Sequence, residues 1–215
     1  MRPKLPFYAY HQTTGMKYHI DDWLRFFPEE FPVCDLCKNI LKIRAKSSVG
    51  NVAAHFYHES NTNCPSIESN RKRYEGLRPT ERDEYNAHLM KELTSQHLDK
   101  VYLRCKHLLN NNLSYSQYKE MLIAANKSDI WYYKGLIFKY VPYVLLVNYG
   151  VFKEQGKFFV FESNLNNYDD LWNHQKSIKN RIWRVDTTSN DVEEFTMIDD
   201  LILKDYFFKY RDLLK

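Results

Sequence analysis

The sequence predicts a mixed α+β fold, and three observations support that prediction. Cysteines and histidines cluster between residues 34 and 64, apolar residues recur at helical spacing between 80 and 125, and Val, Tyr and Phe are frequent between 130 and 162. At 215 residues and 44% hydrophobic content, the chain is long enough for one large core with a small module attached. We expect an N-terminal module over residues 1–70 and a mixed helix and sheet domain over residues 71–215.

The first 33 residues contain a predicted strand and a predicted short helix. The strand covers Leu5–His11, and the helix runs from Asp21 to about Phe27. Asp21 or Asp22 can cap the start of this helix, and Pro28 ends it. The aromatic residues of this segment are expected to support a module that is too small to fold alone.

Two short strands are predicted to form a hairpin after this helix. They cover Ile40–Arg44 and Val52–Tyr57, and the turn-like segment Lys46–Gly50 joins them. A hairpin brings its two ends together, so residues that flank it become neighbours in space.

Five candidate metal ligands flank or enter this hairpin. They are Cys34, Cys37, His55, His58 and Cys64. Zinc prefers four thiolate or imidazole ligands in a tetrahedron, and a C-x-x-C pair supplies two of them from one turn. Because four such ligands leave no position for water, the spacing predicts a structural Zn²⁺ site in a small zinc-stabilised hairpin module.

The choice of four ligands among five candidates stays open. The C-x-x-C pair is the firmest assignment, because both thiols belong to one turn. His55 and His58 would point to opposite faces of a continuous strand, and they converge only if the chain turns at Phe56 and Tyr57. We favour His58 with Cys64, which leaves His55 as a supporting residue or as the replacement for Cys64.

The order of motifs in this stretch matches a known pattern. Cys34-x-x-Cys37 is followed by His55-Phe56-Tyr57-His58, then by Cys64 and the pair Glu68-Ser69. Over about forty of the 215 residues, this order resembles the N-terminal zinc-finger segment of the competence protein CoiA-like family. In that family the finger precedes a nuclease-like domain of the PD-(D/E)xK type, so the resemblance implies a DNA context. The family's usual continuation after Glu-Ser is replaced here by residues 70–74, NRKRY.

A long helix is predicted after the module. Thr80 followed by Asp83 is a capping pattern, and apolar residues then recur at helical spacing as far as Leu108. Cys105 lies on this apolar stripe, which indicates a small buried residue and not a nucleophile.

A second helix is predicted directly after the first. Asn110–Asn112 marks a turn, and Ser114 with Gln117 resembles a capping box for a helix that continues through Ala125. Two consecutive helices joined by a short turn predict a helical hairpin.

The remainder is predicted as a small, mostly antiparallel sheet with a C-terminal helix. The predicted strands are Ile130–Tyr133, Leu136–Phe138, Tyr140–Phe152, Lys157–Glu162 and Asn180–Asp186. The third and fourth of these form a predicted hairpin about Lys153–Gly156. Leu171–Lys179 is a predicted helix, and Ile198–Leu214 is predicted as an amphipathic helix.

Two basic runs are candidate contacts for nucleic acid. Their side chains are Arg71, Lys72, Arg73, Arg78, Lys179, Arg181 and Arg184. Lysine and arginine neutralise phosphates, and aromatic residues near both runs could stack on bases. The alternative is an ordinary solvated face, because acidic residues follow the first run closely. The net charge of +4 permits nucleic acid as a partner without demanding it.

No catalytic site is predicted. The sequence has no Walker loop, no dinucleotide-binding glycine pattern and no G-x-S-x-G. A PD-(D/E)xK nuclease needs two carboxylates and a lysine around a hard cation. The nearest set is Glu162 with Lys157 and either Asp129 or Glu154, and it lacks an acid-x-Lys in register.

These features predict a zinc-binding accessory protein that binds nucleic acid, with DNA favoured over RNA. One alternative is a protein-interaction or regulatory subunit, for example in phage–host conflict, and a second is a metal-dependent nuclease related to the PD-(D/E)xK type. We expect a cytoplasmic protein without a membrane partner or a disulfide-linked partner. The sequence shows no secretory signal or run of about twenty apolar residues, and its four cysteines do not resemble a disulfide framework.

Overall fold

The computed structural model confirms a mixed α+β fold. It describes residues 6–44, 53–59, 62, 64–67, 70, 77–161, 171–172, 181–187 and 191–202. The helices within these residues are α1 Ile20–Phe26, α2 Glu84–Gln96, α3 Leu98–Leu108, α4 Tyr115–Lys127 and α5 Val141–Tyr149. The strands are β1 Tyr8–His11, β2 Met16–His19, β3 Lys42–Arg44, β4 His55–Tyr57, β5 Lys157–Val160, β6 Arg181–Asp186 and β7 Val192–Thr196.

The chain divides into two compact units. The first, called the N-terminal unit here, comprises Met1–Glu75, Val151–Asn164 and Trp183–Phe195. The second, called the helical unit, comprises Gly76–Gly150, Leu165–Ile182 and Thr196–Lys215. The N-terminal unit therefore contains two later segments besides the residues of the predicted module. The predicted linear division into 1–70 and 71–215 stays a prediction.

The N-terminal unit begins with a hairpin and a short helix. β1 and β2 pair antiparallel with Tyr8 opposite His19 and Tyr10 opposite Lys17. α1 follows directly, and its cap is the imidazole of His19, which accepts a hydrogen bond from the backbone N–H of Asp21 at 3.3 Å. The predicted cap at Asp21 or Asp22 is therefore wrong. Both carboxylates lie in the first turn instead, where the positive end of the helix dipole stabilises them.

The predicted hairpin of the module is confirmed in a shorter form. β3 and β4 pair antiparallel, with Lys42 opposite Tyr57, Ile43 opposite Phe56 and Arg44 opposite His55. Alternation along β4 directs Phe56 into the core, where it is fully buried.

A three-stranded sheet completes the N-terminal unit. β5 pairs antiparallel with β6, and β7 lies on the other side of β6. Phe158, Val160, Trp183 and Val185 from this sheet share one core with the first hairpin and α1. The complete set of buried residues in that core is Ala9, Ile20, Trp23, Cys34, Leu36, Leu41, Phe56, Cys64, Phe158, Val160, Trp183 and Val185.

The predicted long helix of the helical unit is two helices. α2 is capped by Asp83, whose carboxylate accepts a hydrogen bond from the backbone N–H of Asn86 at 2.9 Å, so the predicted cap at Thr80 is wrong. The helix breaks at His97, where ψ reaches 33°, and α3 begins at Leu98. Cys105 is fully buried on α3, as its apolar neighbours indicated, and burial raises the pKa of its thiol.

The predicted second helix and its cap are confirmed. The hydroxyl of Ser114 accepts from the backbone N–H of Gln117 at 3.1 Å, and the Gln117 side chain accepts from the backbone N–H of Ser114. Two orphan donors of the first turn are thereby satisfied.

The segment predicted as the long strand Tyr140–Phe152 is mostly a helix, α5. Nearly every residue of α5 is buried, so its sequence is apolar on all sides and has no helical period to reveal it. Two 3-10 turns, Ile130–Tyr132 and Phe138–Tyr140, stand where shorter strands were predicted. The predicted hairpin about Lys153–Gly156 is reduced to one bridge between Phe152 and Lys157.

The C-terminal predictions fall largely outside the described residues. Residues 173–180 and 203–215 belong to that part of the chain. Ile198–Ile202 is described and is not helical, so the predicted C-terminal helix does not begin at Ile198. The backbone N–H of Ile198 instead donates to the hydroxyl of Tyr143 at 3.0 Å. Among the described helices, none is both long and apolar enough to cross a membrane.

Candidate metal centre

Four of the five predicted ligands converge on one point of the N-terminal unit. The potential ligand atoms of Cys34, Cys37, His58 and Cys64 all lie within 4.8 Å of one another. The Sγ atoms of Cys34 and Cys64 are 3.8 Å apart, and the Sγ of Cys37 lies 4.0 Å from Nε2 of His58. These four side chains sit close enough to hold a metal ion.

The sulfur separation distinguishes a metal site from a disulfide. A disulfide joins its sulfurs at about 2.05 Å, and all the cysteines here are free. Four ligands about 2.3 Å from a central ion occupy the corners of a tetrahedron whose edges are about 3.8 Å. The separation of 3.8 Å between Cys34 and Cys64 therefore matches two thiolates that share one ion.

The two cysteines of the C-x-x-C pair are held by a tight turn. The backbone N–H of Lys38 donates to the carbonyl of Cys34 at 2.9 Å, and the N–H of Cys34 donates to the carbonyl of Asn39 at 2.9 Å. Lys38 has a φ of 61°, a left-handed conformation that reverses the chain. Leu36, between the two cysteines, is buried and anchors the turn to the core.

The structure also separates the two histidines. His58 lies one residue beyond β4 and joins the cluster, as we favoured, whereas His55 lies within β4 and does not belong to it. Nδ1–H of His55 donates to the carbonyl of Ala53 at 2.9 Å, and the ring is buried. The hydrogen bond of His55 therefore stabilises the backbone just before β4.

The side chains of the cluster have pKa values that are shifted in different directions. Hydrogen bonds to Cys37 and Cys64, together with burial, raise the pKa of Cys34 well above its usual range. Hydrogen bonds from Cys34 and Cys64 hold the pKa of Cys37 far below its usual range. Burial alone would lower the pKa of His58, but hydrogen bonds to Cys37 and Cys64 raise it to about 9. Without a metal, the cluster thus contains a Cys37 thiolate beside a protonated His58.

No family model, curated protein or solved structure matches this chain. The resemblance to the CoiA-like finger therefore stays a prediction from the motif residues between 34 and 69.

Neighbouring side chains determine the hydrogen bonding and burial of the four candidate ligands. The hydroxyl of Ser66 lies 3.0 Å from Sγ of Cys64, where it can donate to a thiolate. Nδ1 of His58 is buried and has no hydrogen-bond partner among the residues that the structure describes. Cys34 and Cys64 are buried, whereas Cys37 and His58 are half-buried, so an ion held here would be partly shielded from solvent. Ser66 was not predicted, although its position two residues after Cys64 was an available signal.

The predicted nucleic-acid contacts are only partly described. Arg71, Lys72, Arg73 and Lys179 lie outside the described residues. Arg78 is exposed, and Arg181 is half-buried at the start of β6. Arg184 is only 5% exposed, pairs with Glu193 and lies over the ring of Phe195. Its guanidinium would have to leave Glu193 before it could reach a phosphate.

The carboxylates considered for nuclease chemistry do not form a described cluster. Glu162 lies outside the described residues. Asp129 pairs with Arg82 at 2.9 Å, and Glu154 is exposed within the turn before β5. Among described residues, the Cys34, Cys37, His58 and Cys64 cluster is the group that can hold a metal.

Proposed function

We propose that this protein is a zinc-binding accessory protein that binds nucleic acid, with DNA as the expected ligand. The observation that carries the zinc assignment is the convergence of three thiols and one imidazole within 4.8 Å. Thiolate and imidazole ligands favour zinc over magnesium or calcium, which prefer oxygen. Because all four ligands are protein side chains, the zinc would stabilise the fold and would leave no open position for catalysis.

Exposed cations around the metal centre support nucleic acid as the ligand. Lys38 follows the C-x-x-C turn and Arg44 ends β3, and neither pairs with a carboxylate among the described residues. Such side chains can neutralise phosphates in any sequence, which suits an accessory protein.

The zinc assignment is tested by elemental analysis of freshly reduced protein. We expect about one zinc per chain, lost in a Cys34→Ser/Cys37→Ser variant. A matched control is Cys105→Ser. Because Cys105 lies in the helical unit, this substitution should leave the zinc content unchanged. Metal-free protein after purification with zinc would contradict the assignment.

Nucleic-acid binding is tested by fluorescence anisotropy with labelled DNA over a series of salt concentrations. Phosphate contacts release counterions, so the affinity should fall steeply and linearly in a plot of log affinity against log salt. Affinity that does not respond to salt, or no binding by zinc-loaded protein, would contradict the proposal. Magnesium-dependent cleavage of the DNA, abolished by Glu162→Ala, would instead establish the nuclease alternative.

A protein partner is the second candidate function, because the N-terminal unit exposes large apolar side chains. Phe31 is 71% exposed, and Phe26, Met16 and Ile40 are also exposed. Apolar side chains on a surface often mark a protein interface. Failure of the anisotropy experiment together with retained zinc would favour this candidate.

A further inference from the structure

Two tyrosines lie on the outer face of the β1–β2 hairpin. Residues directly opposite each other in an antiparallel pair share a face, so Tyr8, His19, Tyr10 and Lys17 lie on one side. Ala9, on the other side, is buried in the core. Tyr8 is 45% exposed and Tyr10 is half-buried, so aromatic surface remains accessible to a partner.

A third tyrosine meets this face at a cavity beside the metal centre. Tyr8 and Tyr57 both line a cavity of about 330 Å³, together with the ligands Cys34 and His58. Leu41 and Ile67 add apolar wall. The carboxylates of Asp35 and Glu59 also line the cavity, and each is paired with a lysine, Lys17 and Lys42 respectively. A cavity with aromatic and apolar walls suits a flat, partly apolar group.

Each of the three tyrosines has a cation over its ring. Lys17 lies 5.6 Å from the ring centre of Tyr8, Lys38 lies 5.1 Å from that of Tyr10, and Arg44 lies 5.5 Å from that of Tyr57. We call the surface formed by these six residues the tyrosine face.

The charges of the tyrosine face are only partly balanced. Lys17 lies 3.0 Å from the carboxylate of Asp35. Lys38 and Arg44 are exposed and form no ion pair with the carboxylates that the structure describes. Lys38 also donates to the backbone carbonyl of Asp35, which does not neutralise its charge. The face therefore combines aromatic rings with two cations that have no carboxylate partner among the described residues.

We infer that the tyrosine face binds single-stranded nucleic acid, with bases stacked on Tyr8 and Tyr57 and phosphates held by Lys38 and Arg44. This inference depends on the proposed function, because it specifies where and in which form nucleic acid binds. Rings beside cations match the alternation of base and phosphate along a strand. Base faces are accessible in a single strand and hidden in a duplex, so the rings favour unpaired strands. A cation over a ring is held weakly, so Arg44 can turn from Tyr57 to a phosphate as a base takes its place.

The experiment is anisotropy of zinc-loaded protein with labelled oligo-dT, oligo-U and a duplex. We expect the single strands to bind roughly tenfold or more tightly than the duplex, since stacking on rings needs unpaired bases. Stacking and phosphate contacts occur with DNA and RNA alike, and the dT and U arms compare the two.

Tyrosine variants test the rings directly. Tyr8→Leu and Tyr57→Leu should each weaken single-strand binding by roughly 5- to 100-fold, and Tyr57→Phe should retain it because the ring remains. The matched control is Tyr85→Leu, since Tyr85 is 84% exposed on α2, in the helical unit. Zinc content is measured for every variant. If Tyr57→Leu loses zinc, the exposed Tyr8 alone decides the test.

Lysine variants test the cations. Lys38→Gln should reduce the slope of log affinity against log salt by about 0.7, the value for one phosphate contact to a single strand. Lys91→Gln is the matched control, because Lys91 also lies 5.1 Å from a tyrosine ring centre, that of Tyr132 in the helical unit. Its slope should not change.

Three results are decisive. Loss of binding in the Tyr8 and Tyr57 variants with the reduced slope in Lys38→Gln supports the inference. Salt-dependent binding that is unchanged in these variants, or tighter to the duplex, overturns the inference and leaves the proposed function intact. Unchanged binding would also fit a face that contacts a protein. Absence of binding to every oligonucleotide overturns both.

Discussion

The two units of this protein close their cores by different means. In the N-terminal unit, β1 to β4 are only three or four residues long, and two cysteines of the metal cluster belong to the buried core. In the helical unit, four longer helices pack together and α5 is buried along nearly its entire length. Short strands bury little apolar area, so a metal held by the cluster would contribute more to the stability of the first unit than of the second.

Metal removal should produce the largest difference in stability between the two units. Binding of structural zinc contributes about 10–16 kcal/mol to folding of small zinc modules, which exceeds the stability of most domains. Treatment with a chelator, or Cys37→Ser, should therefore unfold the N-terminal unit and leave α3 and α5 folded. Hydrogen exchange followed by mass spectrometry checks this by comparing peptides of residues 8–44 with those of residues 98–149. Equal loss of protection in both would show that the helical unit also depends on the metal.

A core substitution in α5 should give the converse result. Leu145 is fully buried, so Leu145→Ala should lower the free energy of unfolding of the helical unit by about 2–5 kcal/mol. Leu103→Ala is the control, because Leu103 is 57% exposed on α3 and should change stability by less than about 0.5 kcal/mol. Urea denaturation followed by circular dichroism measures both. A cost for Leu145→Ala no larger than the control's would contradict a helical unit held together by burial.

The pH dependence of metal affinity should be confined to the N-terminal unit. The pKa of His58 is raised to about 9 and that of Cys34 is raised above its usual range, so both are protonated at neutral pH in the metal-free protein. Cys37, whose pKa is lowered, is already a thiolate. Zinc must displace the protons of both groups, so its affinity should rise by at least about a hundredfold for each pH unit between 6 and 8.

Competition titration with a zinc chelator at several pH values measures this dependence. The expected dependence comes from the protons that zinc displaces from Cys34 and His58. A zinc affinity that does not change with pH would therefore contradict the protonation of these two groups. Unfolding of the helical unit, monitored in the same samples, should show no matching change.

The smallest predicted effect concerns the cap of α4. Ser114→Ala removes the acceptor for the backbone N–H of Gln117 and should cost about 1 kcal/mol of unfolding free energy. Ser116→Ala is the control, since Ser116 is exposed inside the same helix and alanine favours helices. Thermal denaturation of both variants checks the prediction, and equal melting temperatures would contradict it.

The metal cluster was the part of the site most open to prediction from sequence. Metal ligands in a C-x-x-C turn have a fixed spacing, so Cys34 and Cys37 can be identified as candidate ligands without a structure. The choice of His58 over His55 depends on where β4 ends, and strand ends are set by tertiary contacts. The tyrosine face was not predicted, because Tyr8 and Tyr57 are far apart in sequence and meet only through the fold.

The helical unit shows the corresponding limit for the fold. The cap at Ser114 and Gln117 is a local interaction, and it was predicted correctly. α5 was mistaken for a strand because Val and Tyr favour strands and complete burial removes the helical period. Two signals remained in the sequence: Pro142, which suits the first turn of a helix, and Gly150, whose φ of 81° ends it.

The residues that form the core of the N-terminal unit are synthesised at two separate times. Ala9 through Cys64 leave the ribosome first, and Trp183 and Val185 of the same core follow only after α2 to α5 have emerged. At about 5–20 residues per second, this delay is on the order of ten seconds. The ligand cysteines therefore spend that interval on a nascent chain without their complete apolar cover, exposed to oxidants and to competing metals. Folding of this unit around a metal would therefore need reducing surroundings and a supply of that metal until Val185 has been made.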